Sequence, residues 1–202
     1  WGLNTTFEAI LSTIIWSIIL YVVPFFNLSL PIFPEFLKLH FDEIPVFIAG
    51  FAYGPVSAIF ILVIKTLVKL PMTMTFGIGE FVDFFYSLVF VLPATLIYKR
   101  NRKIKSAIVG FAFGTLFQLV FSCFITTFVV LNVYTSIVGM SSEFLLNACQ
   151  AINKNITNLT WPFMFFAVLP FNALKDVIVV IVTLLLYKRL HKVIDKIAAQ
   201  KN

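Results

Sequence analysis

Long apolar stretches recur along the chain, and they constrain its fold more than any other feature. Each one is long enough, at about 1.5 Å per helical residue, to cross about 30 Å of hydrocarbon. Only 12% of the residues are charged, whereas about a quarter are charged in an average soluble protein. The sequence therefore predicts an all-α integral membrane protein. The apolar stretches occupy residues 7–23, 44–64, 80–98, 106–131 and 161–187.

The segment from 42 to 70 is too long for one comfortable span, and Gly54-Pro55 lies inside it. Proline lacks a backbone donor and biases the residue before it away from the helical region, so we divide the segment there. We begin the last helix near Pro170, because proline is favourable in the first turn of a helix. The prediction is one membrane domain over residues 1–202, a six-transmembrane-helix bundle with helices at about 7–23, 44–53, 55–70, 80–98, 106–131 and 170–189.

Basic residues provide an independent check on topology, because short cytoplasmic loops collect lysine and arginine. Of the fifteen basic residues, five lie in KRNRKIK at 99–105 and five in the C-terminal tail at 188–201. Six helices place both clusters and the N-terminus in the cytoplasm, whereas five would place one cluster outside. The net charge of +6 is therefore a topological signal and a contact with lipid headgroups, not a nucleic-acid-binding surface.

The motifs that are missing exclude several kinds of chemistry. The chain has no G-x-x-x-x-G-K-[ST] loop, so it does not hydrolyse ATP through a P-loop. It has no G-x-S-x-G motif to supply a nucleophile, and we expect it not to be an enzyme. Its two cysteines and two histidines lack the spacing of zinc ligands, so no metal or cofactor is expected.

Charged side chains lie within the apolar segments, where a charge is costly and usually faces a bundle interior or a wet cavity. Lys65 and Lys69 share one helix face, and Glu80 and Asp83 share another. Under the predicted topology these residues and Lys175 all lie toward the outer ends of their helices. Ion pairs that join helices would explain any one of them. We interpret the whole set as a polar pocket that opens outward.

Two motifs are the most specific parts of the chain, FDEIPVFIAGFAYGP at 41–55 and PFNALK at 170–175. They resemble the membrane-embedded substrate-binding S components of energy-coupling factor (ECF) vitamin transporters, in the branch with the riboflavin, pantothenate and hydroxymethylpyrimidine proteins. The resemblance implies a multi-pass protein of a prokaryotic plasma membrane, with a substrate site near the outer face. Within PFNALK, it implies that Asn172 and Lys175 contact the substrate.

The resemblance also implies partners, because a shared module of one transmembrane coupling subunit and two ATPases energises such proteins. In the first predicted helix, Thr5, Ala9, Thr13 and Ser17 form a stripe of small residues that allows close helix approach. This stripe packs either inside the bundle or against another chain. The family resembled here uses small residues on this helix to dock the coupling subunit, so we assign Ala9 and Thr13 to that interface.

The substrate is predicted less directly. A count back from Tyr134 puts Thr126 where riboflavin-type members carry an asparagine, which argues against riboflavin. The lysines suit the carboxylate of pantothenate, and the many aromatic residues suit a flat pyrimidine equally well. We therefore predict the substrate-binding subunit of an ATP-driven importer, with pantothenate or hydroxymethylpyrimidine favoured. The predicted substrate-binding residues are Lys65, Lys69, Glu80, Asp83, Thr126, Asn172 and Lys175.

Two alternatives stay open at this point. One is an S component specific for riboflavin. The other is a secondary transporter that works alone, although the sequence does not show the repeated halves expected of such a protein.

Overall fold

The structure is a computed structural model in which the first predicted helix, at 7–23, lies outside the described residues except at Leu11 and Thr13. Both of these positions are helical. Ala9 of the predicted docking stripe is also outside the described part, so its role stays a prediction. Apart from Leu11 and Thr13, the structure describes residues 28–34, 37–72, 77–137 and 139–199.

The described chain is helical, apart from its loops and one antiparallel pair of two-residue strands in which Leu28 faces Leu39. Two π-helical segments interrupt the longer helices, Thr126–Val130 between α4 and α5 and Met164–Val168 between α7 and α8. In chain order the elements are β1 (Leu28–Ser29), β2 (Lys38–Leu39), α1 (Glu43–Tyr53), α2 (Pro55–Lys69), α3 (Ile78–Asn101), α4 (Ile104–Ile125), α5 (Leu131–Ser136), α6 (Ser142–Gln150), α7 (Trp161–Phe163) and α8 (Leu169–Ala199).

Within the described residues, three continuous helical segments are long and apolar enough to cross a membrane. They are Ile78–Asn101 with 24 residues, Ile104–Ser136 with 33 and Trp161–Arg189 with 29. The predicted class, an all-α membrane protein, agrees with these segments. α1 and α2 are shorter, with 11 and 15 residues.

α1 and α2 meet at Gly54-Pro55. Gly54 has φ of 98°, a conformation that a residue with a side chain rarely adopts, and its N–H donates to the Gly50 carbonyl at 2.9 Å. Pro55 then occupies the first turn of α2, where its missing N–H costs nothing. The chain therefore reverses direction here, and the start of α1 lies close to the end of α2.

α8 begins at Leu169, one residue before Pro170, but it continues a helical segment that starts earlier, at Trp161. Pro162 fills the first-turn position there. The helix then passes Pro170 directly after the π-helical Met164–Val168, where the wider turn loosens the hydrogen-bond ladder that a proline would otherwise break. The fifth predicted helix also differs, because it continues through a π-helical turn beyond residue 131 to Ser136.

Two apolar cores hold the bundle together. The first joins α1 to the ends of α3 and α8 through aromatic contacts, with ring centroids 4.5 Å apart for Phe51 and Tyr98 and a 3.0 Å hydrogen bond between the Tyr98 and Tyr187 hydroxyls. The second core lies at the other end and includes Leu39, Leu145 and Phe163, so it packs the strand pair and α6 against α7 and α8. The site described next lies between these cores.

Candidate functional site

Buried acids at the start of α1 organise a cluster of charged side chains. Asp42 precedes α1 and Glu43 is its first residue, and neither side chain is exposed to solvent. The N-terminus of a helix favours negative charge, because its first backbone N–H groups are unpaired. Two adjacent acids therefore suit this position, provided that cations neutralise them.

Asp42 Oδ2 accepts from both lysines of α2, at 2.8 Å from Lys65 Nζ and 2.7 Å from Lys69 Nζ. Asp83 on α3 pairs with the same two lysines, at 3.1 Å from Lys69 and 3.6 Å from Lys65. Lys65 is fully buried and Lys69 is 2% exposed. The ion pairs therefore connect the start of α1, the end of α2 and the start of α3.

Lys175 of α8 belongs to a second pair. Its Nζ donates to Glu43 Oε1 at 2.7 Å, and the Ser87 hydroxyl donates to the same oxygen at 3.4 Å. The next residue, Asp176, is also fully buried, and its carboxylate oxygens accept no hydrogen bond from the part of the chain that the structure describes. The three buried lysines of this region therefore face at least three carboxylates, and no lysine among them is left without a carboxylate partner.

A cavity of about 150 Å³ adjoins this cluster. Residues from the loop before α1, from α3, from the α4–α5 segment and from α8 surround it, so four parts of the chain converge there. Its lining residues are Leu37, His40, Gly79, Val82, Asp83, Tyr86, Thr126, Val130, Leu131, Tyr134, Phe171, Asn172 and Lys175.

Hydrogen bonds hold several polar groups of the cavity in place. The Tyr86 and Thr126 hydroxyls are 2.7 Å apart. The Asn172 amide donates to the Val168 carbonyl at 2.9 Å, and its oxygen accepts from Gln118 at 3.3 Å. Buried polar groups with fixed partners are held in one orientation, so these side chains present defined donors and acceptors.

The first π-helical segment borders the cavity and the second directly precedes it along the chain. Thr126 and Val130, the ends of the first, line the cavity, and Val168 ends the second, one turn before the lining residue Asn172. π-helical turns occur frequently at functional sites, because the inserted residue redirects side chains and frees a carbonyl. Here the Val168 carbonyl accepts a hydrogen bond from the Asn172 side-chain amide at 2.9 Å.

The loop between β1 and α1 covers the cavity. Phe33 packs edge-on against Phe171 with ring centroids 5.3 Å apart, and Leu37 and Leu39 are buried beside it. Burial lowers the pKa of the His40 imidazole from its usual value, although Asp42 and Asp83 oppose that shift. His40 is therefore neutral near pH 7, and the cover adds no positive charge to the cavity.

The structure brings together four of the seven predicted substrate-binding residues, because Asp83, Thr126, Asn172 and Lys175 all line the cavity. The other three are outside the described lining. Lys65 and Lys69 contact Asp83 from behind it, and Glu80 is buried in the first turn of α3. All three lysines pair with carboxylates of the protein, Lys65 and Lys69 with Asp42 and Lys175 with Glu43, so their role in substrate binding stays a prediction.

Sequence reasoning missed Asp42, Glu43, Tyr86 and His40. The two acids could have been identified from the sequence, because they directly precede the apolar residues IPVF. A buried acid at this position needs a cationic partner, whereas an acid in an exposed loop does not. Tyr86 carries a weaker one, as it lies three residues after Asp83 and hence on the same face of α3. Among the described residues, no three His, Cys, Asp or Glu side chains are placed to hold a metal ion.

Comparisons with known proteins agree on the family. A family profile described as "ECF transporter, substrate-specific component" matches residues 4–187. A solved structure of the S component of a bacterial ECF transporter superimposes with a TM-score of 0.71 and 26% identity, covering 94% of this chain and 96% of that one. The family and the solved structure are both described as transporter components, which agrees with the expectation that the chain is not an enzyme.

Named relatives share one substrate. The chain is 29% identical to the riboflavin transporter RibU of Staphylococcus aureus, with 90% of this chain and 89% of the relative covered. It is 30% identical to riboflavin transporter RibU of Streptococcus thermophilus, with coverages of 84% and 77%. It is 24% identical to riboflavin transporter FmnP of Bacillus subtilis, with coverages of 89% and 90%.

Proposed function

The chain belongs to the substrate-specific components of ECF transporters, and from this premise we propose that it is the riboflavin-binding subunit of an ATP-driven importer. Its place is the plasma membrane of a bacterium, which it crosses several times. Riboflavin replaces pantothenate and hydroxymethylpyrimidine as the favoured substrate, because the relatives found are riboflavin transporters and neither of those two substrates has similar support.

The observation that carries this proposal is that each lysine beside the cavity already has a carboxylate partner. Lys65, Lys69 and Lys175 are each paired with a carboxylate at 2.7–2.8 Å. A carboxylate ligand such as pantothenate would lose its hydration and find no unpaired cation, which costs several kcal/mol. Riboflavin is neutral, so it enters this site without that cost.

Its ring system also matches the remaining lining. Riboflavin has a flat system of three rings, with hydrogen-bond donors and acceptors along its pyrimidine end, an apolar dimethylbenzene ring at the other end and a chain of hydroxyl groups on the central ring. Tyr86, Tyr134 and Phe171 offer aromatic faces to the rings, and the Asn172 amide and Thr126 hydroxyl offer hydrogen bonds. Lys175 and Asp83 supply further polar groups at the wall nearest the charged cluster.

The volume of the cavity sets a condition on binding. Pockets that bury drug-sized ligands usually measure about 300–1,000 Å³, whereas this cavity measures about 150 Å³. Binding of riboflavin in this proposal therefore requires the cavity to widen. Leu37 and His40 belong to the covering loop, so a shift of these two residues would enlarge the cavity.

The asparagine argument against riboflavin does not outweigh this support. The count from Tyr134 back to Thr126 crosses the π-helical Thr126–Val130, which changes the direction of side chains relative to a regular α-helix. Asn172 also lines the cavity and supplies a side-chain amide there. Thr126 still lies in the cavity lining, with its hydroxyl 2.7 Å from that of Tyr86.

Energy for import comes, in this proposal, from a module of one transmembrane coupling subunit and two ATPases. Ala9 and Thr13 of the first predicted helix remain the proposed docking residues on this chain. Riboflavin uptake into vesicles should require the chain, the complete module and internal ATP together. Uptake by the chain alone without ATP would contradict the proposal and support a secondary transporter.

Six membrane-spanning helices with both termini in the cytoplasm are the proposed topology. The charged cluster and the cavity lie at one end of the bundle, and the basic segments at 99–105 and 188–189 lie at the other, which suits a substrate site that opens outward. Cysteines introduced at Asn101 and Asn155, both exposed, should react from opposite sides of the membrane. The native Cys123 and Cys149 are buried and give little background. Labelling of both new cysteines by an impermeant reagent on intact cells would overturn this topology.

A further inference from the structure

Asp176 on α8 is a buried acid outside the lining of the cavity. Its side chain is not exposed to solvent, and neither carboxylate oxygen accepts a hydrogen bond from the described residues. An unpaired carboxylate inside a protein is costly, so it is neutralised in some way. Within a membrane protein, such a group usually belongs to a binding site or to the path of an ion.

A count of charges shows that this part of the bundle lacks a positive charge. It contains at least four acids whose side chains are buried or largely buried, but three buried lysines. The acids are Asp42, Glu43, Asp83 and Asp176, and the lysines are Lys65, Lys69 and Lys175. Every one of these lysines already pairs with an acid other than Asp176. Asp176 is therefore the acid that is left over.

The other basic residues of the chain lie elsewhere. Lys38 is in β2 and Lys154 is in the loop after α6, and the remaining ten lie at 99–105 and 188–201. Lys188 follows Asp176 along α8 by twelve residues, or about 18 Å at 1.5 Å per residue. The segments that the structure does not describe contain one basic residue, Lys201. The missing positive charge therefore comes from solution.

Two other buried oxygens of this region also accept no hydrogen bond from the described chain, Glu43 Oε2 and Gln118 Oε1. Glu43 is close enough to Asp176 to interact with it electrostatically. The Gln118 amide donates to Asn172, which lies one turn before Asp176 on the same face of α8. The unsatisfied atoms therefore belong to three neighbouring elements, α1, α4 and α8, and all of them are oxygens.

This set of oxygens favours a metal cation over a proton. A protonated carboxyl group has one O–H donor, so it would satisfy one acceptor and leave the others unpaired. Hard metal cations instead contact several carboxylate and amide oxygens at once. The local charge selects the valence, because Glu43 and Asp176 together carry two negative charges and Lys175 carries one positive charge. A single positive charge restores neutrality.

We propose that Asp176, Glu43 Oε2 and Gln118 Oε1 bind a monovalent metal cation between α1, α4 and α8. The cation neutralises Asp176 and joins the three helices. It also fixes Glu43, whose other oxygen holds Lys175 at the cavity wall. The site does not depend on which vitamin is bound.

The test uses the purified full chain without riboflavin, and sodium chloride is replaced stepwise by choline chloride at constant total salt. Choline is too large to reach a buried carboxylate. We expect the midpoint of thermal unfolding to rise with Na⁺ and to saturate, with a gain of about 5–10 °C at a hundredfold excess over the Kd. Equilibrium dialysis with radioactive sodium should find one Na⁺ per chain.

Asp176→Asn keeps the shape of the side chain and removes the charge that the cation neutralises. It should abolish the response to Na⁺, and in choline chloride it should be more stable than the unmodified chain. Gln118→Met removes one oxygen ligand and should raise the Na⁺ concentration for half the effect by about tenfold. Glu143→Gln removes an exposed acid from α6 and is the matched control, which should keep the full response.

Two results would overturn the site. Equal unfolding midpoints in sodium chloride and choline chloride would mean that no Na⁺ binds, and that a proton neutralises Asp176. A response to Na⁺ that survives in Asp176→Asn would mean that the cation binds elsewhere. Riboflavin is absent from these measurements, so failure of the cation site and failure of the proposed function are distinguishable.

Discussion

Asp42→Asn is expected to lower the free energy of unfolding by about 3–5 kcal/mol, the usual cost of removing one partner from a buried ion pair. Asp42 Oδ2 accepts from Lys65 and Lys69 at 2.8 and 2.7 Å, and all three side chains are buried. Asparagine keeps the shape but not the charge, so both ammonium groups would lose the carboxylate that they share. For a chain of this size the midpoint of thermal unfolding should fall by roughly 6–20 °C.

Thermal unfolding of the purified protein, followed by the fluorescence of its three tryptophans, measures this effect. Glu143→Gln is the matched control, because Glu143 is an exposed acid at the start of α6, and it should change stability by no more than about 0.5 kcal/mol. Adding Lys65→Met to Asp42→Asn should restore part of the loss, since it removes the cation left unpaired. An Asp42→Asn protein as stable as the unmodified chain would show that these ion pairs do not hold the helices together.

The class of the fold follows from the sequence because it depends on features that act over long segments. A transmembrane helix requires a long apolar run, and the runs at 80–98 and 106–131 lie within the helical segments Ile78–Asn101 and Ile104–Ser136. The break between α1 and α2 at Gly54-Pro55 is also predictable from the sequence, because a proline restricts the backbone wherever it occurs. The helical turns before Pro170 are not predicted, because Pro162 also occupies a first-turn position, in the short helix Trp161–Phe163.

The site is less predictable, because its chemistry depends on which charges meet. The sequence shows that Lys65, Lys69 and Lys175 lie in apolar segments, where a charge is energetically costly. It does not show whether a ligand or a carboxylate of the protein neutralises them. Asp42 and Glu43 decide the question, and they lie in what the sequence presents as an outer loop. The sequence therefore predicts the burial of these lysines but not the carboxylates that pair with them.

The π-helical segments are a second limit on sequence reasoning. A helix drawn with 3.6 residues per turn puts each side chain on a defined face, and one inserted residue shifts every side chain beyond it. Thr126 and Asn172 lie at or just beyond such insertions and still reach the cavity. The family motif at 170–175 supports the position of Asn172 in the cavity, and helical periodicity predicts the position of neither residue.

Selectivity for riboflavin over pantothenate is expected to be at least a thousandfold. A pantothenate carboxylate in the cavity would be desolvated beside lysines that are already paired, which costs several kcal/mol, and about 4 kcal/mol corresponds to a thousandfold in affinity. Asn172→Ala should weaken riboflavin binding by about tenfold, because it removes an oriented amide from the cavity wall. Asn147→Ala, an exposed change on α6, is the control and should have no effect on affinity.

The most direct measurement is a titration of riboflavin with the purified chain, in which ring fluorescence is quenched when the flavin stacks against the aromatic lining. The account predicts saturable quenching with one riboflavin per chain, no competition from a thousandfold excess of pantothenate or of hydroxymethylpyrimidine, and weaker binding only for Asn172→Ala of the two asparagine variants. Absence of quenching, or displacement of riboflavin by pantothenate, would contradict the claim that this cavity is a riboflavin site.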